Sequence, residues 1–136
     1  MTTIAATKSV MAADSSASDD NGRVSVRKLF RVPGGVLGFA GVASVGPRLA
    51  QWLINERRGD PPDMSDTHAL LITGDAIWFF DEVPHPYEIL DPFCTLGSGG
   101  QAATAAMHCG KSPKEAVKIA AKIDTFTGGR IVCMEV

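Results

Sequence analysis

The chain opens on short apolar stretches of strand type. Residues 2–6 (TTIAA) and 9–13 (SVMAA) are rich in Thr, Ile, Val and small residues. Only Thr7 and Lys8 separate them, so the pattern predicts a tight hairpin. Residues 14–22 (DSSASDDNG) are polar and end on Asn21-Gly22, which reads as a loop closed by a turn. Residues 23–27 (RVSVR) then alternate polar and apolar with period two, the pattern of a half-buried strand. Pro33-Gly34-Gly35 turns the chain into a strand over 36–40. Past Gly46 the spacing becomes helical. Leu49, Trp52, Leu53 and Glu56 fall along one side of a helix with Pro47 in its first turn, and Gly59 with Asp60-Pro61-Pro62-Asp63 stops it.

The second half repeats this alternation of strand and helix signals. Residues 68–73 and 76–80 predict a hairpin around Gly74-Asp75. Residues 93–96 make a short strand running into Gly97-Ser98-Gly99-Gly100. Residues 101–109 form an alanine-rich helix stopped by Gly110. Ser112 caps a second helix with Pro113 at N1, carrying Ala116, Ile119, Ala120 and Ile123 at helical spacing. Thr127-Gly128-Gly129 breaks the chain before a last strand over 130–135. Strands and helices are too segregated for a doubly wound parallel sheet. Two antiparallel sheets flanked by helices is the expected layering, in one α+β domain spanning 1–136.

Composition narrows the function. Its 136 residues suffice for one hydrophobic core, and 45% apolar content is ordinary for a globular chain. A net charge of -2 gives no reason to expect nucleic acid. The cluster Arg23, Arg27, Lys28 and Arg31 reads as the solvated face of a strand. Cys94, Cys109 and Cys133 are odd in number and widely spaced, which suits a reducing cytoplasm rather than a disulfide framework. No signal peptide is evident at the start, and the longest apolar-plus-glycine run, 36–46, is too short to span a bilayer.

The start of the chain carries the candidate chemistry. Thr2 is small enough for removal of Met1, which would expose a free α-amine on a threonine. A hydroxyl needs a base to attack, and an α-amine of pKa about 8 can serve in its neutral form. Three further segments fall in order along the chain: Gly38-Phe39-Ala40-Gly41 before the first helix, Leu96-Gly97-Ser98-Gly99-Gly100 before a later one, and Asp124-Thr125-Phe126-Thr127-Gly128-Gly129 before the last strand. Together with the opening Thr2-Thr3-Ile4-Ala5 and residues 10–18, this ordered set resembles the proteasome β subunits and the bacterial HslV-type peptidases.

The resemblance implies an Ntn-hydrolase αββα four-layer sandwich with one helical layer reduced. It implies that Thr2 attacks the scissile carbonyl of a polypeptide, that Asp14 organises charge beside it, and that the Gly41 N–H faces the oxyanion. Ser98 and Asp124 would bond around the Thr2 amine, with Thr127 close by. Carbonyls near Ala121, Asp124 and Thr127 would hold a structural monovalent or divalent cation, and no other cofactor is required. The partners implied are copies of the chain in a homo-oligomeric ring and an AAA+ ATPase unfoldase, with no nucleic acid and no membrane. Read alone, Asp14 equally suits an Asx-turn, Gly41 a tight turn and Ser98 a helix N-cap.

Three departures from the family pattern stand out. The family carries a catalytic lysine on the strand after the polar loop, and alignment puts Ser25 there, with Arg23 and Arg27 on the same face to supply field in its place. Val45 occupies the position of an acidic residue, and residues 59–67 replace a second long helix. These departures leave two alternatives to a peptidase: a ring subunit that has lost catalysis with the lysine, or an N-terminal-nucleophile amidohydrolase acting on a small amide.

Overall fold

The computed structural model describes residues 2–136. Two antiparallel sheets face each other. The first contains β1 (Ile4–Thr7), β2 (Val10–Ala13), β10 (Phe93–Leu96) and β11 (Val132–Glu135), in the order β10-β1-β2-β11. The second is a meander of β5 (Leu29–Val32), β6 (Gly35–Ala40), β7 (His68–Ile72), β8 (Ile77–Asp81) and β9 (Tyr87–Ile89), paired in chain order. A separate hairpin, β3 (Ser16–Asp19) and β4 (Gly22–Ser25), projects between them in sequence. One helix, α1 (Val45–Ile54), covers the outer face of the second sheet, and α2 (Gly100–His108) and α3 (Pro113–Ile123) cover that of the first.

The result is a four-layer αββα sandwich, with the α1 layer reduced to a single helix. Its three apolar clusters follow from strand parity, since alternate residues point to opposite faces. Ile4, Ala6, Met11 and Ala13 point inward and meet Leu29, Val36, Leu70, Ile72 and Ile77 between the sheets. Ala5 and Ala12 point outward to Ala103, Ala116, Val117 and Ala120 of the paired helices. Leu37, Phe39, Ala69 and Phe80 pack against Leu49, Ala50 and Leu53 of α1. The sheets approach closely at Gly38, where a Cβ would collide with Met11 and press on Leu29 and Ile4.

Several elements differ from those the pattern predicts. Residues 16–19, expected in a loop, form β3, and the expected half-buried strand over 23–27 is β4, exposed throughout with Val24 at 64%. Their strand ladder is with each other alone and, apart from buried Ser16 at its root, the hairpin is largely open to water, so neither strand needs a continuous apolar face. Strands β5 and β9 were not signalled. Helix α1 ends at Ile54, short of Gly59, because Glu56 and Arg57 turn left-handed (φ 58 and 61) and the Arg57 N–H closes back on the Trp52 carbonyl at 2.8 Å. Glu56 is therefore outside the helix and exposed. The capping of α3 is as expected. Ser112 accepts from the Glu115 N–H at 3.2 Å while the Glu115 carboxylate takes the Ser112 N–H, also at 3.2 Å.

Candidate active site

The site begins where β1 begins. Thr3 precedes β1 and Asp14 follows β2, so the hairpin register brings the two together. The Asp14 N–H donates to the Thr3 carbonyl at 3.2 Å, and the Thr3 N–H donates to Asp14 Oδ1 at 3.0 Å. On its other side β1 pairs with β10, Ile4 opposite Leu96, which lays the segment after β10 across the start of the chain. Glycine is needed at two positions there. A Cβ on Gly97 would collide with the Thr2 carbonyl, and one on Gly99 with the Thr3 hydroxyl. The Gly99 N–H and the Ser98 hydroxyl approach the Thr2 carbonyl at 3.4 and 3.5 Å. Thr2 is thus buried at 6% exposure, held through its main chain rather than frayed.

Asp14 gathers three donors in a buried position. Oδ1 accepts from the Thr3 N–H and from Lys28 Nζ, each at 3.0 Å, and Oδ2 accepts from the Gly128 N–H at 3.0 Å. Lys28 Nζ also donates to the Ser16 carbonyl at 2.6 Å. Lys28 is 5% exposed. Burial pushes its pKa below the ordinary lysine value, against the hydrogen bond and charge of Asp14, which favour the ammonium. A lysine so placed is a frequent mark of a functional site.

This corrects the expectation of a missing lysine. Ser25 is exposed in β4, opposite Ser16, and makes no contact of this kind. The lysine stands three residues later, in the extended link between β4 and β5. The expected substitutes, Arg23 and Arg27, do not line the cavity at Thr2. The Arg23 guanidinium lies beside Gly128, and Arg27 faces a different groove.

A second network closes the site. Ser98 and Thr127 both donate to Asp124 Oδ2 at 2.6 Å, and the Phe126 N–H approaches Oδ1 at 3.4 Å. Thr127 spends its one hydroxyl proton on Asp124, so in the 2.6 Å contact between Thr3 and Thr127 the Thr3 hydroxyl donates. Protons therefore point along Thr3, Thr127 and Asp124, with Ser98 directed at the same carboxylate. Burial raises the Asp124 pKa, but the Ser98, Thr127 and Phe126 bonds outweigh it and hold the carboxyl below its ordinary value. Ser98 is not the N-cap of α2; that position is Gly99. Thr3 was not foreseen as part of the site.

Gly41 follows β6 with φ +131, and a Cβ there would collide with the Asp66 carbonyl oxygen. The neighbouring Val42 N–H donates to Thr67 Oγ1 at 3.2 Å, tying this turn to the segment before β7. Thr2, Lys28 and Gly41 line one cavity of about 400 Å³, whose apolar wall includes Val26, Phe39 and Ala43. Asp14 lies behind Lys28 rather than in the cavity. Ala121 is in the last turn of α3, and Asp124 and Thr127 are in the turn that follows, where helix-end carbonyls lack intrahelical donors. The Thr127 N–H donates to the Asp124 carbonyl at 3.2 Å, so a cation there would use the Ala121 and Thr127 carbonyls and the second lone pair of the Asp124 carbonyl. Met1 lies outside the described residues, and so does the expectation of its removal. Among the described residues, no helix is long and apolar enough to cross a membrane.

No protein-family model matches the sequence, and no curated protein does. Solved structures do match in fold. The chain is similar to Thiobacillus denitrificans BPH, with a TM-score of 0.76 at 16% identity over 99% of this chain and 96% of that one. The same protein in complex with epoxomicin gives 0.75 at 16% identity, covering 99% and 97%. HslV from Trypanosoma brucei gives 0.74 at 20% identity, covering 98% of each chain. At these identities the likeness is one of fold, and it extends over the whole length. This chain thus has the HslV-type fold that its sequence resemblance implies.

Proposed function

We propose that this chain is a threonine-type peptidase subunit of a self-compartmentalising, proteasome-like ring, with Thr2 as nucleophile once Met1 is removed. The observation that carries the reading is the buried Lys28–Asp14 pair, whose lysine shares one cavity with Thr2 and Gly41. In this reading the Thr2 hydroxyl attacks a peptide carbonyl and gives its proton to a neutral amine, that of Thr2 itself. Lys28 supplies positive field beside the forming alkoxide, and its lowered pKa also lets it shuttle a proton. The Gly41 N–H faces the oxyanion, where one preorganised donor contributes roughly 3 kcal/mol. Ser98, Asp124, Thr127 and Thr3 fix the main chain of Thr2 and the Asp124 charge near its amine. The wall of Val26, Phe39 and Ala43 suits an apolar substrate side chain.

A ring of roughly six or more copies, a cytoplasmic location and service to an AAA+ unfoldase follow from the same reading. A cation on the Ala121, Asp124 and Thr127 carbonyls would be structural, bracing the turn that presents Asp124. The case for a subunit without activity rested on a missing lysine, and Lys28 removes that ground. The test is covalent labelling. Natively expressed protein is treated with the peptide-like inhibitor epoxomicin and mapped by mass spectrometry. Added mass on a Met1-free Thr2, lost in Thr2→Ala, is expected. Active protein that retains Met1 throughout would refute the threonine mechanism.

A further inference from the structure

The sandwich has two open sides of opposite character. On one, the edge strands β5 and β11 lie together, joined where Arg31 Nη1 donates to the Glu135 carbonyl at 2.9 Å. Between them and the end of α1 runs a groove of about 930 Å³ lined by Arg27, Arg31, Arg130, Phe30, Ile54 and Met134. On the other side, β9 is the far edge of the five-stranded sheet. It and the turn after it expose Tyr87 (51%) and Leu90 (85%), flanked by the exposed acids Glu88 and Asp91. Among the described residues, none of Arg27, Arg130, Glu88 and Asp91 has an ion-pair partner within the chain. One side is therefore basic and concave with an apolar floor, and the other is acidic and convex with apolar projections.

We propose that these surfaces are complementary halves of one interface: the β9 edge of one copy, residues 87–91, docks in the β5–β11 groove of the next. The contact joins different patches of identical chains, so it is heterologous and propagates head to tail, closing into a ring when the rotation allows. Leu90 and Tyr87 would leave water against Phe30, Ile54 and Met134, while Glu88 and Asp91 meet the arginines, which sets register and excludes the reverse orientation. Asp14 and Lys28 also line this groove. That pair is already 4% and 0% exposed, so docking would add the neighbouring copy as a further wall behind it. The inference rests on the ring reading above and specifies the surfaces that reading leaves open.

The experiment uses the full chain and mass photometry at micromolar concentration. The four charged residues are exposed, so their reversal leaves the fold intact, as circular dichroism would check. Wild type should form rings. Arg27→Glu with Arg130→Glu should fall to monomers, as should Glu88→Lys with Asp91→Lys, because each juxtaposes like charges. A chain carrying all four changes should assemble again. Leu90→Ser, which alters no charge, should raise the concentration needed for assembly about tenfold or more. A monomeric wild type would overturn both the ring reading and this interface. Rings that persist in both charge-reversed pairs would overturn the interface while leaving the ring reading standing, and the basic groove would then belong to another anionic partner. Failure of the four-change chain to reassemble would overturn the pairing of these two surfaces.

Discussion

Replacing Lys28 by Met retains much of its bulk and removes its charge. Its consequences separate a catalytic ion pair from a merely structural one. The Lys28 and Asp14 side chains are 4% and 0% exposed and lie 3.0 Å apart. Breaking a buried pair costs about 3–5 kcal/mol when the remaining charge is stranded. Asp14 would not be stranded, because the Thr3 and Gly128 N–H groups remain on it. The change also relieves the desolvation that lowers the Lys28 pKa. The lower end, about 3 kcal/mol, is therefore expected, or a fall in Tm of roughly 10 °C for a chain of this size. Activity should fall further than folding does: loss of one electrostatic stabiliser costs about 10²–10³ in kcat. Lys28→Arg keeps the field but cannot exchange a proton, and its longer fork has to fit the same pocket, so it should rescue stability better than turnover. Hydrolysis of a fluorogenic peptide by fully folded protein, beside thermal melts of wild type, both Lys28 variants and Ser25→Ala, reads these out. Ser25→Ala should be silent in both. A Lys28→Met enzyme that melts early yet turns over at the wild-type rate would refute the catalytic role. A Ser25→Ala enzyme with low activity would restore the alignment that the fold displaces.

Gly41→Ala must place a Cβ on the Asp66 carbonyl at a φ of +131, so it should lower kcat about 10²-fold or more with a smaller change in KM, as steady-state kinetics would show. Asp124→Asn should lower kcat and loosen Thr2, with Ser98→Ala milder because Thr127 still donates to Asp124. The folded-state pKa of Asp124 lies below its unfolded value, so its contribution to stability is present above the unfolded pKa of about 4 and is lost as pH falls through the folded value. The Tm difference between wild type and Asp124→Asn should therefore shrink on acidification through that window. Gly99→Ala, whose Cβ would collide with the Thr3 hydroxyl, should break the Thr3–Thr127 contact and displace Thr2, seen as slower epoxomicin labelling with little change in circular dichroism.

Most of the fold was legible because its strands alternate and its helices are punctuated. The β1–β2 hairpin, the β7–β8 hairpin, the Ser112 cap of α3 and the glycine breaks all follow from local rules that packing did not override. What was not legible lacked such a signal. Strand β9 is three residues of mostly exposed chain between prolines, paired along one edge. Strand β3 is mostly polar because its hairpin does not cover the core, so composition makes it a loop, whereas the alternation around Val24 marked its partner β4. The residues that the resemblance named, Asp14, Gly41, Ser98, Asp124 and Thr127, lie around Thr2 and Thr3, and the structure adds a geometric demand for glycine at 41, 97 and 99. Thr3 could have been found only from its place beside Thr2, since a threonine entering a strand is unremarkable by itself.

The lysine was misplaced for a reason that the structure exposes. Alignment with the family places Ser25 at the lysine position, and a period-two reading of residues 23–27 treats the segment as one strand with Arg23 and Arg27 on the face of Ser25. The chain does not continue that way. Strand β4 ends at Ser25, residues 26–28 form an extended link, and β5 starts at Leu29 in a different sheet. An odd displacement of three residues reverses the face, so an error of this size inverts every inward and outward assignment that follows. A local signal was present nonetheless. Lys28 has Val26 and Phe30 at positions two removed on either side, both more buried than the arginines that alternate with them. A lysine that falls on the apolar side of an alternating segment must either snorkel to water or find a buried partner. Lys28, 5% exposed, does the latter, and the carboxylate that meets it sits at the end of the strand next to Thr2 and Thr3. The polarity that looked like the solvated face of a strand was, at one position in four, the charge at the centre of the candidate site.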